Sequence, residues 1–343
     1  MKGLVVNGDG KVILASDIPM PEIDDYQVVT KTIACGICNG TDLKLVEGKL
    51  RGFGSYPAVL GHESVGEVIQ VGRKVRNLKV GDRVLRTVLK ETDQYHSLWG
   101  SFAQFGYADD YMARIQDGVP ADVGVSTHQV IPRQLDPVDG TMIITLKEIC
   151  SALHRLGLAP GMNVVVVGCG PVGLSMVALA RLMGAGKVIM SGHHPSRLAV
   201  AKKLGADVAF SSKEQDVVET VRQHMPEGVD LFIDCVGRTS IIDQGMQVVK
   251  ETGKIGLYGI GIHTGDLIDW DRAPYNFNIH SVQWPIPLEE KAVHEEVIGY
   301  LMDGKLNLKD FVSHTLPVEA FEEGFDLVRS REGLKVALTF GTV

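Results

Sequence analysis

The sequence predicts an α/β protein built from a β-rich region and a doubly wound parallel sheet, on three observations. The N-terminal third carries short Val and Ile runs broken by Gly, Pro and Asp, the texture of strands joined by tight turns. From Asn163 onward, short apolar runs alternate with longer stretches of helical spacing, as in a parallel sheet covered by helices. That second series opens on a buried-strand pattern followed at once by a glycine-rich hexapeptide, the place where such sheets bind phosphate.

In the first part, strand candidates include residues 27–33, 65–71 and 82–85, with Gly48, Gly61, Gly66, Gly72 and Gly81 as candidate turns. Over 135–158 the pattern becomes helical: Ile149, Leu153 and Leu156 recur at helical spacing, and Pro160-Gly161 stops the helix. The all-valine run 164–167 reads as a fully buried parallel strand. A helix over 172–183, a strand over 187–191 and a helix over 197–204, ended by Gly205, come next. Residues 208–210, 231–234 and 254–258 continue the strands. The C-terminal part holds amphipathic helices near 292–302 and 318–329 and a last strand over 335–340.

A chain of 343 residues suggests about two domains. A net charge of -8 without a basic stripe excludes a nucleic-acid partner. Residues 1–14 hold Lys2 but no long apolar stretch, so no signal peptide is expected. The most apolar segment, 164–190, is interrupted by Arg181, Lys187 and several glycines. It reads as strand, turn and helix, with no membrane span. Five scattered cysteines, an odd number, do not make a disulfide framework and point to a reducing, cytoplasmic setting.

Gly168-Cys169-Gly170-Pro171-Val172-Gly173 matches G-x-G-x-x-G between a strand and a helix. The first glycine permits the tight turn, the second lets backbone approach a pyrophosphate, and the third lets helix and strand pack closely. A plain strand-to-helix turn is the competing explanation. An acid closing the next strand would hold the ribose 2′-hydroxyl of NAD(H), but here that strand ends Ser191-Gly192-His193-His194. Gly192 leaves room, and His193, His194 and Arg197 are candidates to face a 2′-phosphate. Arg197 leads because guanidinium is always charged and binds phosphate in a bidentate way. NADP(H) is therefore favoured, with NAD(H) as the alternative.

Cys38, His62 and Glu63 offer thiolate, imidazole and carboxylate, the usual zinc donors. A catalytic zinc with an open position polarises an alcohol oxygen before hydride leaves the carbon. Cys35 and Cys38 also form C-x-x-C, which fits a redox pair or half of a structural zinc site. No second C-x-x-C exists to complete the latter.

Together these segments resemble the zinc-containing medium-chain alcohol and polyol dehydrogenases over nearly the whole chain. The resemblance rests on Ala34-Cys35-Gly36-Ile37-Cys38, Thr41-Asp42-Leu43, Gly61-His62-Glu63, Gly66-Glu67-Val68 and Val80-Gly81-Asp82-Arg83-Val84. Gly100-Ser101-Phe102-Ala103, the glycine motif, Leu204-Gly205-Ala206-Asp207 and Asp234-Cys235-Val236-Gly237 complete it. It implies a GroES-like catalytic domain over 1–148, completed by 285–343, and a Rossmann domain over 149–284. It implies Cys38, His62 and Glu63 as ligands of one catalytic zinc, Thr41 as the proton-relay hydroxyl, and Cys235 and Val236 beside the cofactor.

The chain departs from that pattern in three places. Asn39 and Gly40 put Thr41 one residue later than usual, and Lys44 stands roughly where a relay His is common. The usual Glu-Pro pair before the Rossmann domain is missing; one register puts Ile144-Thr145 there and another Lys147-Glu148. Either Glu148 or solvent would complete the metal site. Residues 86–99 hold no cysteine, so the lobe that carries a structural zinc in many relatives is absent. That points to the sorbitol-dehydrogenase-like branch, whose members form dimers or tetramers.

The expectation is an enzyme that moves a hydride between a polyol, cyclitol or sugar (or its ketone) and NADP(H). A zinc-free quinone or enone reductase of the same fold and a non-catalytic nucleotide-binding redox sensor are the alternatives. Loops 95–99 and 270–275 and the residues Trp99, Trp270 and Trp284 are pocket candidates, with at least one tryptophan expected in the core.

Overall fold

The computed structural model describes residues 1–261 and 268–341. The chain divides into two compact units, the first made of Met1–Thr145, Pro287–Ile298 and Asn307–Val343, the second of Leu146–Ile286 and Gly299–Leu306. Residues 342–343 of the expected C-terminal completion lie outside the described residues. Among the described residues, no helix is long and apolar enough to cross a membrane.

The first unit is organised by the strand Gln27–Ile37. It pairs antiparallel with Glu63–Val71 on one side and with Lys335–Thr339 on the other. The pattern of 27–33 predicts only part of it. The strand continues because Ala34, Cys35 and Ile37 are all buried, so it gains apolar burial at every step to its end. Leu4, Ile37, Leu45, Leu60, Phe102, Phe325 and Leu338 belong to one core cluster beneath this sheet.

Gly66 is not a turn but lies inside Glu63–Val71. A Cβ there would sit 2.8 Å from Thr87 Cγ2 and 3.0 Å from Thr30 Cβ, so the glycine lets neighbouring strands and their threonines close over it.

In the second unit, six described strands form a parallel sheet. Their spatial order is Val208–Ser211, Val188–Gly192, Val164–Val167, Val229–Asp234, Val249–Leu257 and Asn278–Ser281. The order reverses beside Val164–Val167, the switch point at which such sheets take a dinucleotide. Helices Pro171–Leu182 and Pro195–Lys203 follow the first two strands in the chain. The sixth strand, Asn-Ile-His-Ser, lies at the sheet edge and is mostly exposed. It carries no apolar run, and pairing with Val249–Leu257 alone makes it a strand.

Candidate active site

Three neighbouring strands deliver the metal-site side chains in the first unit. Gln27–Ile37 ends immediately before Cys38. Gly36 pairs with Glu63 on one flank and with Ala337 on the other. Cys38, His62 and Glu63 thereby bring one ligand atom each to within 4.8 Å of one another.

The turn after Cys38 is held by Asp42. Its Oδ2 accepts the Cys38 backbone N–H at 2.8 Å, and its own N–H donates to Cys38 O at 2.9 Å. Its Oδ1 lies 3.3 Å from His62 Nδ1, which turns Nε2 toward the space beside Cys38. Orienting a ligand histidine through its second nitrogen is the usual task of a carboxylate in that position. Burial opposes charge on the imidazole, but the adjacent Asp42 and Cys38 outweigh it and hold the His62 pKa well above the ordinary value. Protonation and metal binding therefore compete for His62.

Glu63 is 2% exposed, and both its oxygens are engaged. Lys335 Nζ donates to Oε2, and Thr145 Oγ1 donates to Oε1 at 2.8 Å. Burial alone would raise the carboxyl pKa; Lys335, His62 and Thr145 reverse that and lower it. Lys335 is likewise buried, which works against its charge, yet Glu63 raises its pKa. The pair crosses over Gly36, where a Cβ would meet Glu63 Oε2 at 3.0 Å and Lys335 Cδ at 3.3 Å. Gly36 thus supplies room for the ion pair.

These residues fit a divalent cation. With Cys38 as thiolate and His62 as neutral imidazole, the forms in which they bind metal, Cys38, Asp42 and Glu63 bring three negative charges against the positive charge of Lys335. Two charges are left, which a zinc ion neutralises with thiolate, imidazole and carboxylate donors. Asp42 Oδ1 and His62 Nδ1 are both buried and face each other at 3.3 Å, which leaves Nε2 as the nitrogen free to serve a metal.

Cys35 takes no part. It is fully buried in the apolar core, and burial pushes its thiol well above the ordinary pKa. An unreactive thiol of this kind removes the C-x-x-C redox reading. Thr41 precedes the short helix Asp42–Val46, and its hydroxyl makes no cap bond. Burial depresses the pKa of Lys44 on the same helix. Thr145, the residue one register puts at the missing Glu-Pro position, touches Glu63. Glu148 is instead 3.5 Å from the Tyr258 hydroxyl within the second unit.

Sequence reasoning missed Asp42, Lys335 and the bond from Thr145. The available signals were an acid four residues beyond Cys38 and a lone charge opening the apolar run of the last strand.

In the second unit, Gly168 has φ of 112°, a conformation open mainly to glycine. Gly170 caps Pro171–Leu182 with an extended backbone, and Val172 and Gly173 form its first turn. A Cβ on Gly173 would overlap Gly168 O, so the helix start packs directly on the turn. Gly173→Ala is expected to cost about 1–3 kcal/mol, as overpacking does, and to weaken nicotinamide binding. Urea midpoints and a cofactor titration measure both, and an unchanged pair of values would refute the tight contact.

Asp234 Oδ1 accepts the N–H groups of Val236 and Gly237 at 2.7 and 2.9 Å, shaping the loop of Cys235 and Val236 after the fourth strand. Val236 is exposed. Gly192 leaves room for a protein neighbour, since a Cβ there would overlap Cys169 Sγ. His193 is exposed and Arg197 half-buried, beside and within the start of Pro195–Lys203. Of the three tryptophans, none is in the core. Trp270 and Trp284 are 59% and 45% exposed, and Trp99 is half-buried with its ring 5.0 Å from that of His62.

Two family descriptions match the chain, "Alcohol dehydrogenase GroES-like domain" over residues 24–120 and "Zinc-binding dehydrogenase" over residues 171–282. Sorbitol dehydrogenase of Gallus gallus is 30% identical over 344 residues, covering 93% of this chain and 91% of that protein. D-arabinitol dehydrogenase 1 of Uromyces fabae is 25% identical over 340 residues, covering 95% and 93%. The solved structure of 2R,3R-butanediol dehydrogenase from Bacillus subtilis shares the fold with a TM-score of 0.81 at 20% identity, covering 98% and 99%.

Proposed function

The chain belongs to the zinc-binding medium-chain dehydrogenases, and on that premise we propose that it oxidises a secondary alcohol of the polyol, cyclitol or sugar class, with NADP(H) preferred. The convergence of Cys38, His62 and Glu63 around a net charge suited to a divalent cation carries the reading. The first unit is assigned the metal and the alcohol, the second the nicotinamide.

Cys38, His62 and Glu63 would hold one zinc ion, which would supply the Lewis acidity that lowers an alcohol's pKa. Asp42 keeps His62 turned so that Nε2 is the donor nitrogen. Lys335 and Thr145 keep the Glu63 carboxylate ionised and fixed in direction. Thr41 receives the alcohol proton at its hydroxyl and passes one to solvent, a role its lack of a capping bond supports. Gly168, Gly170 and the first turn of the following helix would hold the pyrophosphate of a nicotinamide cofactor, which when bound would supply the hydride acceptor for the alcohol carbon.

The absence of an acid after Val188–Gly192 and the presence of His193 and Arg197 there support NADP(H). Arg197→Ala is expected to lower kcat/KM with NADP about tenfold, the worth of a charge-assisted phosphate contact, with little effect on NAD. A screen of polyols, cyclitols and sugars against both cofactors, read by nicotinamide absorbance, tests the whole assignment. A wild-type preference for NAD would sink the phosphate reading.

A further inference from the structure

The ring of Trp99 reaches the candidate metal site, with its centroid 5.0 Å from that of His62. On its other side Phe53 packs 5.3 Å away at a 41° tilt. Both rings are half-buried at the margin of the core. Leu98 and Gly100 on either side are buried, so the tryptophan is anchored through its neighbours while the residue itself is only half-buried.

The backbone at Trp99 is in the left-handed region, with φ of 64°. That conformation is unfavourable for a bulky L-residue, and its carbonyl is pinned by the Leu89 N–H at 2.7 Å. Backbone held in such a state gathers at functional sites, where the surrounding structure over-determines it. Here it aims the largest side chain of the loop toward His62.

We infer that Trp99, backed by Phe53, is the wall that selects the carbon side of the substrate, and that it selects closed-ring polyols (cyclitols or pyranoses) over open-chain ones. The inference rests on the dehydrogenase assignment above for its metal-side alcohol. A ring polyol carries several C–H bonds on one face, polarised by the neighbouring hydroxyls, and these meet the electron-rich indole face together. An open-chain polyol offers the same groups only after its carbon–carbon torsions are frozen, an ordering cost that the ring has already met. A short alcohol covers too little of the indole to depend on it.

The test uses zinc-loaded enzyme with myo-inositol, D-glucose, D-sorbitol and 2-propanol. Trp99→Gly suits the positive φ and removes the ring; Trp99→Phe keeps an aromatic face. In wild type, the ring compounds are expected to show higher kcat/KM than D-sorbitol. Trp99→Gly is expected to lower kcat/KM for myo-inositol or D-glucose about tenfold, mainly through KM. Zinc content is expected to hold, the 2-propanol rate to fall several-fold less than the ring-compound rates, and Trp99→Phe to restore part of the loss. A uniform loss on every alcohol, or none, overturns the inference.

Binding separates this from failure of the dehydrogenase reading. With Trp270 and Trp284 replaced by phenylalanine, Trp99 is the remaining indole, and myo-inositol is expected to shift its emission while 2-propanol does not. No shift overturns the wall. A shift without turnover of any alcohol overturns the dehydrogenase reading and leaves the wall standing.

Discussion

Replacing Cys38 with alanine is expected to remove the bound zinc and lower kcat/KM by about three orders of magnitude or more, since a bound metal supplies several kcal/mol of transition-state stabilisation. The thiolate is one of three protein donors brought together, and imidazole plus one carboxylate is a poor trap for zinc without it. Cys38 is only half-buried, unlike Cys35, so its loss opens no large cavity and the fold should survive. His62→Ala should have the same effect on metal and turnover. It also strands Asp42, which is fully buried, so the cysteine variant is the cleaner one. Stripping wild-type enzyme with a chelator should match the loss, and added zinc should restore wild type but not the variant. Turnover retained in zinc-free protein would refute the metal mechanism.

Lys335→Met, measured on zinc-free protein, is expected to lower unfolding stability by about 3–5 kcal/mol, the cost of stranding one member of a buried ion pair. Methionine replaces most of the aliphatic stem, so the main loss is the ammonium. Glu63 would then keep the hydrogen bond from Thr145 while only 2% exposed. Adding Glu63→Gln removes the stranded charge, and an amide oxygen still accepts from Thr145. The double variant should therefore recover about half of the loss or more, the coupling expected of contacting groups. Zinc should shrink the single-variant penalty, because the ion supplies positive charge beside Glu63. Urea midpoints with and without chelator read all three effects. Strictly additive losses would show that Lys335 acts through packing alone.

The two halves of the site were unequally legible in sequence. The glycine motif is local: a strand, a turn and a helix start follow one another between Val164 and Leu182, and Gly168 and Gly173 each have a steric reason. Even there the neighbour of Gly192 is not local. Its missing side chain makes room for Cys169, a neighbour more than twenty positions away in the chain. The metal donors were visible as residue types, while the groups that hold them were not. Lys335 reaches Glu63 from 272 positions away, across a strand whose Gly36 leaves the passage open. The sixth sheet strand was invisible for a related reason, since an exposed edge needs no apolar pattern.

What the sequence determined by itself was therefore local: the alternating series of the parallel sheet, the glycine turn, and the donor types Cys38, His62 and Glu63. Each depends on residues a few positions apart, where spacing and chemistry suffice. The tertiary structure decided what those donors can do. It paired Glu63 with Lys335 and Thr145, set Asp42 behind His62, buried Cys35 out of reach, and laid Trp99 against the His62 ring. Those relations arise when antiparallel strands set distant residues side by side, and ion-pair and ring contacts form only at that range.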